Sequence, residues 1–292
     1  MPTPFAALTP QLWVHQSRLF YTNSGIFASE GEACLIDPGI EPEAVQAMGE
    51  FINQHNFHPV VLVLTHAHWD HILGPERFPG VTVVAQANYL DVLQERSDDL
   101  CNQIARWEET SGLTREEPFT PPLPDITFEE ETTLSVGESS LHLLHAPGHT
   151  PDQCVVYHEA SGLLWAADML SDLEIPFVSG DLAAYEETLQ QLADLEVRAL
   201  VPGHGHPTQD GAEIQQRFEQ DRRYLAALRS CVAQGVHSDR SLEETVALCG
   251  DIPLRHPEEN ALPHERNIKS AYKHLAGETA KGEGWEEEWE GA

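Results

Sequence analysis

Four side chains with metal-binding donors, His66, His68, Asp70 and His71, fall within six residues in the string LTHAHWDH. They directly follow the run Val60-Val61-Leu62-Val63-Leu64. That run is short, β-branched and leucine-rich, and it follows Pro59, so it reads as a buried strand. Side chains alternate along extended chain, so His66, His68 and Asp70 are expected to face one side, with His71 turned to a neighbouring point. Imidazole nitrogen and carboxylate oxygen together suit borderline cations such as Zn²⁺, and the arrangement suits two adjacent ions better than one. Histidine is common in this chain, at 16 residues, which makes a chance surface cluster the competing explanation. A His-x-His-x-Asp-His string closing a buried strand is hard to reach by chance.

Three further donors follow in order. His149 lies in Ala-Pro-Gly-His-Thr, after the strand-like Ser140 to Leu144. Asp168 closes the apolar run Leu163-Leu164-Trp165-Ala166-Ala167, and His204 lies in Val-Pro-Gly-His-Gly after Ala199-Leu200-Val201. Glycine next to these histidines allows a sharp turn and a close approach of backbone.

Through THAHWDH, PGHT, the lone Asp168 and PGHG, taken in that order, the chain resembles the metallo-β-lactamase-fold hydrolases over roughly residues 10 to 210. Leu35-Ile36-Asp37-Pro38-Gly39 is similar to that family's early strand-plus-aspartate motif. The resemblance implies one metal at His66, His68 and His149, and a second at Asp70, His71 and His204, with Asp168 bridging. Asp37 would orient ligands rather than bind metal. It further implies an αββα sandwich of two mixed β-sheets and two divalent ions, zinc first, with manganese or iron as alternatives. The implied activity is that of a dinuclear hydrolase: hydroxide bridging the ions attacks a small ester, lactone or thioester, and Asp70 is the catalytic proton shuttle.

Alternatives on the same ions are a phosphodiesterase or ribonuclease and an iron-dependent oxidase or dioxygenase; a binding protein holding its metals structurally is a third. His68 stands where the di-iron branch typically carries a carboxylate, which favours hydrolysis. The glutathione-thioester branch usually has basic residues after the bridging aspartate, and lactone-hydrolysing relatives often a tyrosine. Met169 to Gly180 has neither. Its apolar residues Leu170, Leu173, Ile175, Pro176, Phe177 and Val178 either line a pocket for an acyl or aryl group or pack beneath the sheet. His206 is expected at the rim or in solvent, and His142 and His145 as strand residues with ordinary partners. Thr150 and Asp152 either position His149 and the strand after it or are simple turn residues. Trp69 either walls the site or packs.

The elements needed to hold these residues are legible as alternating segments. Leu12 to Val14, Leu19 to Tyr21 and Ala33 to Ile36 read as an opening β meander, and Glu43 to Phe51 as a helix. Val81 to Ala85, Ile126 to Phe128, Thr133 to Val136 and Cys154 to Tyr157 read as further strands, and Asp181 to Leu195 as a helix. Apolar residues at helical spacing from Asn88 to Glu109 predict a helical insertion over about 88–118, ended by a proline-rich stretch from Pro118 to Pro124. Residues 1–210 thus read as the catalytic domain. Residues 211–276 read as a C-terminal helical unit, with helices over Ala212 to Gln234, Ser241 to Cys249 and Glu265 to Leu275, the second opened by a Ser241–Glu244 capping box. That unit resembles, weakly, the winged-helix-like appendage of some relatives; docking or homo-oligomerisation is its plainer role. Residues 277–292, rich in glycine and glutamate, are expected to be disordered.

The chain carries 48 acidic against 16 basic residues, a formal net charge of −32. Such a surface repels polyanions and argues against nucleic acid as a partner, leaving a small-molecule substrate. No apolar run approaches the length of a membrane span, and Met1 to Pro10 lack a signal-peptide pattern. The five cysteines form no CxxC pair and suggest no disulfide framework, so free thiols in a cytoplasmic enzyme are expected.

Overall fold

The computed structural model describes residues 5–112, 119–179 and 181–277. The expected disordered tail beyond residue 277, the last part of the helical insertion (113–118) and Gly180 lie outside the described residues. The chain begins with strands β1 (Ala6–Ala7), β2 (Leu12–Gln16), β3 (Asn23–Ser29) and β4 (Glu32–Ile36), then helix α1 (Pro42–His55), strands β5 (His58–Val63) and β6 (Thr82–Gln86), helix α2 (Tyr89–Ser111) and strand β7 (Ile126–Phe128). A second series follows: β8 (Glu131–Val136), β9 (Ser139–His145), β10 (Cys154–His158), β11 (Leu163–Trp165), helix α3 (Leu182–Ala193) and β12 (Ala199–Val201). Helices α4 (Gly211–His237), α5 (Leu242–Cys249) and α6 (Pro257–Leu275) close it.

Strands β1 to β7 form one sheet in sequence order, antiparallel up to β4 and parallel from there; β8 to β12 form the other, with β11 and β12 parallel. Period-2 alternation explains why both sheets are covered on both faces. In β5, Val61 and Val63 point between the sheets while Leu62 points outward under α1 and α2. In β10, Cys154 and Val156 point between the sheets, and Val155 and Tyr157 face α3 and the C-terminal helices. Three apolar layers result, which is the αββα sandwich. Trp165 fills the central layer so closely that a Cβ on Gly25 would lie 2.6 Å from its ring.

Leu19-Phe20-Tyr21 is a turn, not the expected strand, and Phe20 and Tyr21 have left-handed φ of 55° and 53°. Its backbone is turned toward the chain around His204, where Gly205 N–H donates to Tyr21 O (3.1 Å). The true second strand of the meander, β3, begins with the polar and small residues Asn23-Ser24-Gly25, which carry no strand-like pattern. Helix α6 starts eight residues before the expected Glu265, with Pro257 in its first turn and Pro263 inside it. The Ser241–Glu244 capping box is present at α5.

The cysteine reading is corrected. Cys231 on α4 and Cys249 at the end of α5 are joined in a disulfide, with Cα atoms 5.8 Å apart; Cys34, Cys101 and Cys154 are free. The helix pairing brings together two residues 18 apart, a proximity that local spacing does not reveal. With this bridge, cysteine usage no longer points to a reducing compartment. Among the described residues, no helix is long and apolar enough to cross a membrane.

Candidate metal centre

The loops leaving β5, β9, β11 and β12 meet at one edge of the sandwich. There the donors of His66, His68, His149 and Asp168 lie within 4.8 Å of one another, and those of Asp70, His71 and His204 form a second such group. Asp168 stands between them. Its Oδ2 is 3.4 Å from His66 Nε2, 3.3 Å from His149 Nε2 and 3.4 Å from His204 Nε2, while its Oδ1 is 3.2 Å from His71 Nε2. Asp70 Oδ2 is 3.1 Å from His204 Nε2 and 3.5 Å from His71 Nε2. His68 Nδ1 lies 3.0 Å from His149 Nε2.

Strand alternation placed His66, His68 and Asp70 on one side, but Asp70 groups with His71 and His204 instead. The chain has left the sheet by Leu64, and His71 N–H donates to His68 O (3.1 Å) in a turn, so the two-residue period no longer applies.

The far nitrogens of four imidazoles are fixed by acceptors. Thr65 Oγ1 lies 3.0 Å from His66 Nδ1 and itself donates to Asp37 Oδ2 (2.7 Å). Asp37 Oδ2 also accepts from His71 Nδ1 (3.1 Å), and Asp37 Oδ1 accepts Thr65 N–H (2.9 Å). His149 Nδ1 donates to Phe177 O (3.1 Å) and His204 Nδ1 to Phe20 O (3.0 Å). Each bond puts the proton on Nδ1 and turns the Nε2 lone pair into the cluster, the usual way of setting a ligand's tautomer. Asp152 Oδ2 accepts Ala67 N–H (2.7 Å), pinning the backbone between His66 and His68.

Charge within the cluster is sharply divided. Burial, reinforced by His66 and the neighbouring charges, holds His68 well below the usual imidazole range. Burial also dominates at His149 and holds it down to about 3 in spite of Asp168. At His71 burial acts downward, but Asp168, Asp70 and Asp37 outweigh it and raise the ring well above its usual value. Burial would raise Asp168, yet His204, His71 and His66 hold it well below the carboxylate range. His68 and His149 are thus neutral beside an ionised Asp168, as ligation requires, whereas His71 and His204, both raised by the facing carboxylates against burial, must give up a proton when an ion binds.

The donor set fits two divalent ions. His66 Nε2, His71 Nε2 and Asp168 Oδ1 are buried without a hydrogen-bond partner among the described residues. Buried polar atoms are rarely left so, and each of these points into the cluster. Nitrogen and oxygen donors with no thiolate suit zinc, manganese or iron.

The remaining sequence candidates fall outside the cluster. His206 Nδ1 is 2.8 Å from Asp172 Oδ2, and its side chain is 54% exposed. His145 meets Pro151 O and His142 meets Thr133 Oγ1. Trp69 packs edge-on to Phe20 and against Trp107, and Leu170, Ile175 and Val178 pack under the second sheet. From that segment, Phe177 borders the cluster with its ring 5.8 Å from that of His149, and Glu174 Oε1 lies 3.8 Å from His204 Nδ1. Reading the sequence missed Thr65 and the carbonyls of Phe20 and Phe177, the last named only for its side chain. Two of these act through backbone carbonyls, which leave no trace in residue type.

The sequence profile of the Metallo-beta-lactamase superfamily matches residues 17–204, more than half of the chain. "Beta-lactamase-like protein 2 homolog" of Drosophila melanogaster is 28% identical over 189 residues, covering 63% of this chain and 59% of its own. "Acyl-coenzyme A thioesterase MBLAC2" of Gallus gallus is 24% identical over 161 residues, 50% of this chain and 56% of its own. The chain thus spans under two thirds of the length of these relatives. A metallo-beta-lactamase family protein from Thermus thermophilus has the same fold, with a TM-score of 0.67 at 21% identity over 93% of this chain and 95% of that one.

Proposed function

The chain belongs to the metallo-beta-lactamase superfamily, and we propose that it is a dinuclear, zinc-dependent hydrolase acting on a small thioester, ester or lactone. The observation that carries this reading is the convergence of seven donors in two groups about Asp168, three of them with ligating atoms buried and making no hydrogen bond among the described residues. In the proposal His66, His68 and His149 would hold one ion and Asp70, His71 and His204 the other, with Asp168 available to both. Two such ions, when bound, lower the pKa of a water toward neutrality and polarise the scissile group.

The protein's own contribution is orientation and proton handling. Thr65, Asp37, Phe20 and Phe177 hold the rings in orientation before substrate binds. Asp70 presents one oxygen to His204 and His71. Its other oxygen is the proton carrier of the proposal, taking the proton released by the attacking water and delivering it to the leaving group. Phe177 beside His149 offers an apolar wall for an acyl group. A thioester is favoured within the class because the Gallus gallus relative is named an acyl-coenzyme A thioesterase.

The test is turnover of acyl thioesters, lactones, aryl esters and phosphodiesters by zinc- and manganese-loaded protein, with chelated protein and Asp168→Ala as controls. Chelator-sensitive turnover led by thioesters is expected. Turnover of phosphodiesters alone, or no turnover at all, would contradict the proposal.

A further inference from the structure

The segment that follows Asp168 is held from outside by the C-terminal helices, residue by residue. On α4, Asp221 accepts Leu170 N–H (3.2 Å) and Arg217 donates to Leu170 O (3.3 Å). Arg255, between α5 and α6, donates to Ser171 O. On α6, Asn260 accepts Ile175 N–H (3.1 Å) and donates to Leu173 O (2.9 Å). Two helical turns further along, Asn267 accepts Val178 N–H (2.7 Å) and donates to Pro176 O (2.7 Å).

Asn267 therefore grips the backbone on both sides of Phe177, and Phe177 O is the acceptor that fixes His149 Nδ1. Immediately beyond, Ser179 N–H and Oγ both donate to His149 O. The Asn267 side chain is itself fully buried and locked from behind. Its Nδ2 also donates to Tyr224 Oη (2.8 Å), which meets His264 Nδ1 (2.9 Å), and His264 Nε2 donates to Cys249 O (2.9 Å). All donors in this series run in one direction, so a single proton arrangement satisfies it. A residue needed only for packing here would be apolar, because a buried carboxamide is costly unless every polar atom is matched.

We infer that Asn267, supported by Asn260, is a positioning residue for the metal centre: it sets the Phe177 carbonyl and through it the ring of His149. The C-terminal helices are thereby a working part of the centre. The inference rests on His149 being a ligand.

The test uses the full chain and reads metal binding: zinc affinity by competition with a chromophoric chelator, and the visible spectrum of the cobalt-loaded protein. Asn267→Leu removes the hydrogen bonds with the same number of side-chain heavy atoms, and Asn267→Ala removes them without added bulk. Val232→Ala, a buried α4 position whose side chain makes none of these hydrogen bonds, controls for lost stability, and His149→Ala is the reference for a lost ligand. Both Asn267 variants are expected to bind the His149-side ion about ten-fold or more weakly, with a shifted cobalt spectrum, and to keep the other ion. At equal loss of Tm, Val232→Ala is expected to do neither. Parental affinity and spectrum in the Asn267 variants, or a loss matched by Val232→Ala, would overturn the inference while His149→Ala still lost one ion. If His149→Ala kept both ions at parental affinity, the site reading would fail and the inference with it.

Discussion

Asp37 illustrates how much of the centre depends on residues that bind no metal. It is fully buried with a left-handed φ of 43°, and its two oxygens take three bonds, from Thr65 N–H, Thr65 Oγ1 and His71 Nδ1. Through Thr65 it also sets His66, so one carboxylate orients a ring in each donor group. Asp37→Asn keeps the volume but offers an N–H where acceptors are needed. Zinc affinity is predicted to fall about 10–100-fold, by chelator competition, with the fold retained by circular dichroism. Parental affinity would show that the rings are held without it. At this scale the sequence was informative: the seven donors and Asp37 stand in short motifs whose residue types already state their chemistry. The acceptors Phe20 O and Phe177 O were not legible, because any residue supplies a carbonyl and only the fold decides where it points.

Turns at strand ends bring the donors together, and two of them admit only glycine. A Cβ on Gly203 would lie 2.0 Å from Asp168 Oδ1, and one on Gly148, at φ +143°, would lie 2.4 Å from the Tyr185 ring. Gly203→Ala must displace the carboxylate shared by both donor groups. It is predicted to lower zinc content and turnover together, by about ten-fold or more in affinity. Unchanged zinc binding in a folded Gly203→Ala protein would show that Asp168 has room to move. Strands such as β5 and β11 were legible because both faces are buried, which leaves continuous apolar runs. Strand β3 was not, since Asn23 serves the His204 loop by donating to Pro202 O and Gly205 O, and Gly25 makes room for Trp165. Residues chosen for such contacts lose the pattern of a strand.

For the molecule as a whole, the order of elements pointed only to a mixed α/β fold and the sandwich came from the family resemblance, while contacts between distant helices followed from neither. The Cys231–Cys249 bridge and the grip of α6 on the segment after Asp168 both depend on how α4, α5 and α6 pack against the second sheet. Thiol titration checks that packing. Cys101 is exposed, whereas Cys34 and Cys154 are buried and burial pushes both thiols up, which makes them poor nucleophiles. The native protein is predicted to react at one thiol, the denatured protein at three and the denatured, reduced protein at all five. Five without reductant would remove the bridge. At every scale the chemistry turns on whether the two donor groups hold two ions through Asp168. The most direct measurement is metal bound per chain at saturation, by elemental analysis after equilibrium dialysis, for the parent and Asp168→Ala. Two ions in the parent and one or fewer in the variant are predicted. A parent that saturates below two, or a variant that keeps both ions with parental affinity, would contradict it.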